Sequence, residues 1–271
     1  MRQPMKPRLW SHLTENPRER LTVPEIRASA PASVRDYAEL VQAVAKLAFH
    51  NPEYALFFRG QGHDHLNSQQ QTSCYPTLYR GASNGKLTDR ALQQRREQLE
   101  RFQHALATAF KHEKLPGFDK LEKFPELAWS VLQHYEVCPT PLLDVTHSLR
   151  VAASFATRGG KDGYVYVYAL PHPSGTLTYS AEEELLMVRL LGICPPDAKR
   201  PYFQEGYLVG SFPVVRERRG PHLDVARRLI GKFRLQATSF WSEDFPRIPD
   251  AALYPANDSI LQLCAGLSVG Q

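Results

Sequence analysis

The chain has 271 residues, of which 42% are hydrophobic and 23% charged, and its formal net charge is +5. This composition is typical of a globular protein and excludes a disordered chain. No run approaches the roughly 18 apolar residues of a membrane span, and the opening residues MRQPMKPRLW lack the apolar segment of a secretory signal. We therefore expect a cytoplasmic protein with no membrane segment, whose modest basic excess favours anionic partners.

Residues 1–30 are rich in Pro and Arg and have little periodicity, which predicts an extended N-terminal arm. A single domain is predicted to take up residues 31–271. Within it, Ser33 begins an amphipathic pattern that predicts a helix, in which Asp36 holds the position of a capping-box acid and which Pro52 closes.

An aromatic run, YALFFR at residues 54–59, predicts a buried strand. Gly60 and Gly62 follow, and we expect them to end the strand in a loop that can approach a ligand closely. Arg59 would then lie at the lip of a core strand, where its planar guanidinium can hold phosphate or ribose oxygens. The alternative is that Arg59 pairs with a structural carboxylate.

The pattern does not predict a metal site. His63, Asp64 and His65 lie in a polar, Gln-rich loop, but no further ligand follows at a suitable spacing. The four cysteines, Cys74, Cys138, Cys194 and Cys264, contain no CxxC pair, so neither a zinc ribbon nor a dense disulfide framework is indicated. Beyond this loop, Thr88 is predicted to cap a long scaffold helix that runs to about Lys114.

The stretch from Trp129 to Thr157, WSVLQHYEVCPTPLLDVTHSLRVAASFAT, has the highest density of reactive side chains. A helix is predicted to end near Tyr135, and a short buried strand and a small-residue helix capped by Ser148 or Thr146 follow. Element ends would thus concentrate a set of polar side chains where they can converge on a ligand: His134, Tyr135, Asp144, Thr146, His147 and Ser148. Ordinary caps and buried hydrogen bonds explain the same spacing.

Two later segments are relevant to function. A strand predicted over Tyr202 to Val209 carries Gln204 and Glu205, and because adjacent strand residues face opposite ways, only one of the two can face a ligand. Arg216, Arg218 and Arg219 form a basic cluster that suggests nucleic acid as a partner, although a solvated surface accounts for it equally well.

Three ordered motifs resemble the FRG domain family, named for its aromatic-Arg-Gly motif. They are FFRGQ (57–61) with YPTLYR (75–80), then QHY, PT, LLD and AASFA within 133–156, and RPYFQEGYL (200–208) with the later ALYP (252–255). The central turn is altered, because Cys138 is an extra residue and Pro141 and Val145 replace the usual Arg and Trp.

The family layout in turn resembles that of ADP-ribosyltransferases, which implies an α+β fold with an ADP-ribosyltransferase-like split β-sheet flanked by helices. The resemblance implies binding of NAD, cleavage of its nicotinamide glycosidic bond and transfer of ADP-ribose to an unknown acceptor, protein or nucleic acid. The resemblance implies that Arg59, with Gly60, binds phosphate or ribose and that Tyr135 stacks on nicotinamide, with His134 supporting the turn. It implies that Thr146 contacts the ribose and that Gln204 or Glu205 supports the sugar cation. Asp144 and Ser148 would make further NAD contacts.

Two other functions fit the same sequence features. One is a non-catalytic module that binds a nucleotide or nucleic acid through the same pocket and the basic cluster at residues 216–219. The other is NAD hydrolysis without transfer, as in a toxin or a phage-defence effector.

Overall fold

A computed structural model describes residues 8–81, 87–214 and 221–267. The fold is mixed α+β. The strands in this part of the chain are β1 (Arg8–Leu9), β2 (Leu21–Thr22), β3 (Ala32–Val34), β4 (Ala55–Gln61), β5 (Leu142–Thr146), β6 (Gly163–Leu170), β7 (Leu177–Ser180), β8 (Leu185–Arg189), β9 (Gly206–Ser211) and β10 (Leu229–Leu235). The α-helices are α1 (Val23–Ala28), α2 (Tyr37–His50), α3 (Asp89–His112), α4 (Phe118–Lys123), α5 (Pro125–His134), α6 (Leu149–Ala156), α7 (Lys199–Phe203), α8 (Asp250–Leu253) and α9 (Ser259–Ala265).

The chain divides into two compact units. The first unit combines Met1–Cys74, Val145–His172 and Val225–Asp250, and the second combines Tyr75–Asp144, Pro173–Asp224 and Ala251–Gln271. None of the described helices is long and apolar enough to cross a membrane.

The first unit contains a mixed sheet in the order β3, β10, β6, β4, with the end of β5 beside β4. β10 runs parallel to β3, and the pairings of β10 with β6 and of β6 with β4 are antiparallel. β6, GYVYVYAL, is almost entirely buried, in agreement with its β-branched and aromatic composition. Helix α6 packs on one face of this sheet, where its alanines lie in a common core with Phe58 and Val165.

The second unit contains an antiparallel sheet in which β8 lies between β7 and β9. Helices α3, α5 and α9 contribute to its core, with Leu106, Leu132 and Ile260 packed in one apolar cluster with Leu186 and Leu208 of the strands. These helices bury one stripe each, as amphipathic helices on a sheet do.

Several helix boundaries confirm the predicted signals. Thr88 is the N-cap of α3 and accepts a hydrogen bond from Ala91 N, and Ser148 is the N-cap of α6. One predicted cap was wrong: Asp36 is itself the N-cap of α2, because its carboxylate accepts from Glu39 N, whereas Ser33 lies in β3. Within the predicted N-terminal arm, residues 8–30 contain β1, β2 and α1, and Trp10 is buried.

Candidate functional site

Arg59 lies near the end of β4, opposite Tyr166 of β6. Side chains alternate along a strand, so Arg59 shares a sheet face with Phe57 and Gln61, while Phe58 and Gly60 face α6. Arg59 is half-buried on this face, among buried aromatic residues. Burial raises the pKa of Tyr168 well above its usual value, and the nearby Arg59 guanidinium opposes part of that rise.

The strand register separates Arg59 from Thr146. Phe58 and Thr146 are paired across β4 and β5, and paired residues share a face, so Thr146 lies on the α6 side of the sheet. The next residue, His147, lies on the Arg59 side, where its ring contacts that of Phe57 with centroids 3.9 Å apart. Thr146 Oγ1 accepts a hydrogen bond from Ser148 N at 3.0 Å, which shapes the turn into α6. Arg59 and Thr146, both predicted to contact the ligand, thus face opposite sides of one sheet.

Gly60 has a packing role that the sequence did not predict. It lies inside β4, and a Cβ added there would come within 1.8 Å of Ala152 O and 2.7 Å of Ala156 N. A side chain at this position would therefore push α6 off the sheet. The prediction that Gly60 ends the strand was wrong; at Gly62, by contrast, a Cβ would meet no atom within 4 Å.

In the second unit, the carboxylate of Asp144 is held by two neighbours from α5. Gln133 Nε2 donates to Asp144 Oδ2 and His134 Nδ1 lies beside Asp144 Oδ1, each at 3.1 Å. Burial lowers the pKa of His134, which keeps the ring neutral, so Nδ1 carries the proton that the carboxylate accepts. His134 Nε2 is buried and forms no hydrogen bond within the described residues. The side chain of Asp144 is 34% exposed, and its hydrogen bonds to Gln133 and His134 fix the orientation of its carboxylate.

Gln133 is the centre of a network that the sequence analysis missed. Its Oε1 accepts from Thr140 Oγ1 at 2.6 Å and from Thr77 Oγ1 at 3.0 Å, while its Nε2 reaches Asp144. The Thr of YPTLYR, the Gln of QHY, the Thr of PT and the Asp of LLD are therefore joined by hydrogen bonds. The order of these motifs along the chain was the available signal, but the motifs do not say which side chains meet.

Tyr135 is buried and its hydroxyl donates to Asp258, with distances of 3.0 and 3.1 Å to the two carboxylate oxygens. The guanidinium of Arg200 lies over the tyrosine ring, 5.6 Å from its centroid. Asp258 is fully buried and also accepts from Arg200 N and from Leu261 N at the start of α9. These contacts explain the presence of Tyr135 by a structural role that needs no stacking on nicotinamide.

Gln204 and Glu205 lie in a turn, so the predicted strand from Tyr202 to Val209 was wrong at its start. Helix α7 ends at Phe203, and β9 begins at Gly206. Gln204 is buried and its Nε2 donates to Leu253 O at 2.7 Å, whereas Glu205 is exposed and has a φ of 46°. The alternation argument for these two residues therefore does not apply, and the Gln204 amide binds backbone.

The predicted basic cluster of Arg216, Arg218 and Arg219 lies outside the described residues. Among the residues that are described, no group of three or more His, Cys, Asp or Glu side chains is arranged to hold a metal ion.

A comparison with protein-family models matches residues 54–163 to the FRG domain. The protein carries an FRG domain. The matched segment contains Arg59, the Gln133 network and Asp144, and it ends before Gln204 and Glu205. No curated protein and no solved structure shows significant similarity to the chain.

Proposed function

We propose that this FRG domain protein binds NAD, cleaves the nicotinamide glycosidic bond and transfers ADP-ribose to an acceptor. The observation that carries the proposal is Arg59, a half-buried guanidinium on a core strand among aromatic side chains. Such a group can hold two acceptor oxygens of a phosphate or ribose in one geometry, and its partly desolvated position strengthens the contact.

Cleavage of this bond places the bonding electrons on the nicotinamide nitrogen and leaves a cationic sugar. A nucleophilic oxygen of the acceptor then bonds to the sugar carbon and gives up its proton; water in the same role yields ADP-ribose. A negative group near the cation stabilises this transition state. The Gln204 amide is bonded to Leu253 O, and an amide carries no full negative charge, so Gln204 is not that group.

The test is incubation with NAD labelled in the adenylate part, with candidate proteins, DNA and RNA as acceptors. The proposal predicts nicotinamide release and label on one acceptor class, both lost in Arg59→Ala. Nicotinamide release without labelled acceptor would identify an NAD glycohydrolase. A chain that releases no nicotinamide would contradict both enzymatic versions.

A second candidate function is a non-catalytic nucleotide-binding module. The observation that favours it is the late strand itself: β9, GYLVGS, contains no acidic residue, and the nearest acid, Glu205, lies exposed in the preceding turn. Binding of NAD with no turnover, unchanged in Glu205→Gln, would support the module over the enzyme.

A further inference from the structure

Gln61 is the last residue of β4 and lies on the same face as Arg59, two residues away. It is half-buried, and the proposed NAD contacts do not include it. Two hydrogen bonds fix the orientation of its side-chain amide.

Both hydrogens of the Gln61 amide nitrogen are used. Nε2 donates to His63 O at 2.5 Å and to the hydroxyl oxygen of Tyr166 at 3.1 Å. A backbone carbonyl can only accept. Tyr166 can accept because its own hydrogen is committed: the hydroxyl donates to Asp64 Oδ1 at 2.6 Å, and burial together with this bond raises the pKa of Tyr166, so that it stays protonated. The reversed amide orientation would place Oε1 against the His63 carbonyl and is excluded.

The Asp64 carboxylate is held in turn by Thr72 and Lys232. Its Oδ1 also accepts from Thr72 Oγ1 at 2.9 Å, and its Oδ2 lies 3.6 Å from Nζ of the buried Lys232. Lys232 Nζ donates to Arg27 O at 3.1 Å and to Thr72 Oγ1 at 2.9 Å. Hydrogen bonds donated from Lys232 through Thr72 and from Gln61 through Tyr166 therefore converge on the Asp64 carboxylate, which links the buried ammonium group to the Gln61 amide.

The consequence lies at the other end of the amide. Within the described part of the chain, Gln61 Oε1 accepts no hydrogen bond, and it is held as an acceptor because the nitrogen cannot exchange places with it. The strand rise sets the Cα atoms of residues 59 and 61 about 7 Å apart. One sheet face thus presents the Arg59 guanidinium and, two residues along the strand, a neutral acceptor of fixed orientation.

We propose that Gln61 is a specificity-determining residue whose Oε1 accepts a hydrogen bond from a ribose hydroxyl of the nucleotide that Arg59 holds by its phosphate or ribose oxygens. This inference rests on the proposed nucleotide site at Arg59 and extends it to the sugar. The Tyr166, Asp64 and Lys232 side chains are positioning residues, which act on the ligand only through Gln61.

The experiment is calorimetric titration of the full chain with NAD, with its 2′-deoxy and 3′-deoxy nicotinamide-riboside analogues, and with ATP and AMP. The variants are Gln61→Met, which keeps the side-chain length without the amide, and Tyr166→Phe, which removes the hydroxyl that accepts from Gln61 Nε2. Gln69→Met, an exposed glutamine of the following loop, is the matched control. Melting temperatures show whether each variant is folded.

We expect Gln61→Met to weaken NAD binding about 10-fold, the effect of one well-directed hydrogen bond. Tyr166→Phe should weaken it less, and Gln69→Met should leave it unchanged. Removal of the contacted ribose hydroxyl should weaken binding to the unaltered protein but should not weaken binding to Gln61→Met further. A purely structural effect of the substitution would leave the cost of removing the hydroxyl the same in both proteins. Equal losses for all analogues, or no effect of Gln61→Met, would overturn the inference.

The outcomes also separate the two proposals. If ATP or AMP binds and NAD does not, NAD as the ligand is refuted, and the Gln61 variants are judged on the nucleotide that binds. If none of these nucleotides binds, both proposals fail.

Discussion

The buried carboxylate of Asp258 provides the sharpest test of the structural role assigned to Tyr135. Replacing Asp258 by alanine removes the N-cap bond to Leu261 N, which costs about 1 kcal/mol. It also leaves two donors without an acceptor, the Tyr135 hydroxyl and Arg200 N, and each orphaned buried donor costs about 1–3 kcal/mol. The free energy of unfolding should therefore fall by about 3–7 kcal/mol.

Asp36→Ala is the matched control, because Asp36 is also a helix N-cap but accepts only from Glu39 N at an exposed site. It should lose about 1 kcal/mol. Urea denaturation followed by circular dichroism measures both variants. If Asp258→Ala is no less stable than Asp36→Ala, the buried bonds of Tyr135 do not exist as described, and a ligand-stacking role for this tyrosine would be open again.

Three further predictions follow from the same geometry. Burial lowers the pKa of His134, so on acidification the unfolded chain takes up a proton before the folded chain does. The free energy of unfolding should therefore fall as the pH drops below about 6.5, by up to roughly 1.4 kcal/mol per pH unit. His134→Asn should flatten this slope in denaturation series at several pH values, and an unchanged slope would refute the assignment. Gly60→Ala should lose about 2 kcal/mol or more, because its Cβ would meet Ala152 O, whereas Gly62→Ala should melt like the unaltered protein; equal melting temperatures would contradict the packing of α6. Tyr135→Phe should leave the dissociation constant for NAD unchanged in calorimetry, and a large loss of affinity would restore the stacking role.

The parts of the fold that the sequence predicted depend on local chemistry. Thr88 was identified as a helix cap, and Ser148 as one of two candidates beside Thr146, because a cap needs only its own side chain and the next three residues. β4 was identified from its aromatic run, which suits a buried sheet in most contexts.

The failures depend on partners that are distant in sequence. Gly60 was interpreted as a ligand-approach residue, and only the helix at Ala152 reveals why a side chain is excluded. Tyr202 and Phe203 resemble strand residues, yet they belong to α7, and the turn that follows uses a positive φ at Glu205, for which a glutamate gives no sequence signal.

The sequence predicted which residues belong to the candidate site, but it did not predict which face of the sheet each side chain lies on. Arg59 and Asp144 were both selected, and the structure provides for Asp144 a clamp of Gln133 and His134. The separation of Arg59 from Thr146 depends on the register of β5 against β4, which a one-residue shift would reverse. Gln61 was overlooked because its importance comes from the hydrogen-bond chain through Tyr166 and Asp64.

The most direct test of the central claim is calorimetric titration of NAD into the unaltered protein, Arg59→Ala and Arg59→Lys. Arg189→Ala, which alters an exposed arginine at the end of β8, is the control. Our account predicts saturable binding that Arg59→Ala abolishes, that Arg59→Lys weakens because the planar fork is lost, and that Arg189→Ala preserves, with each variant still folded by its melting transition. Equal NAD affinity in all four proteins, or no binding by the unaltered protein, would contradict it.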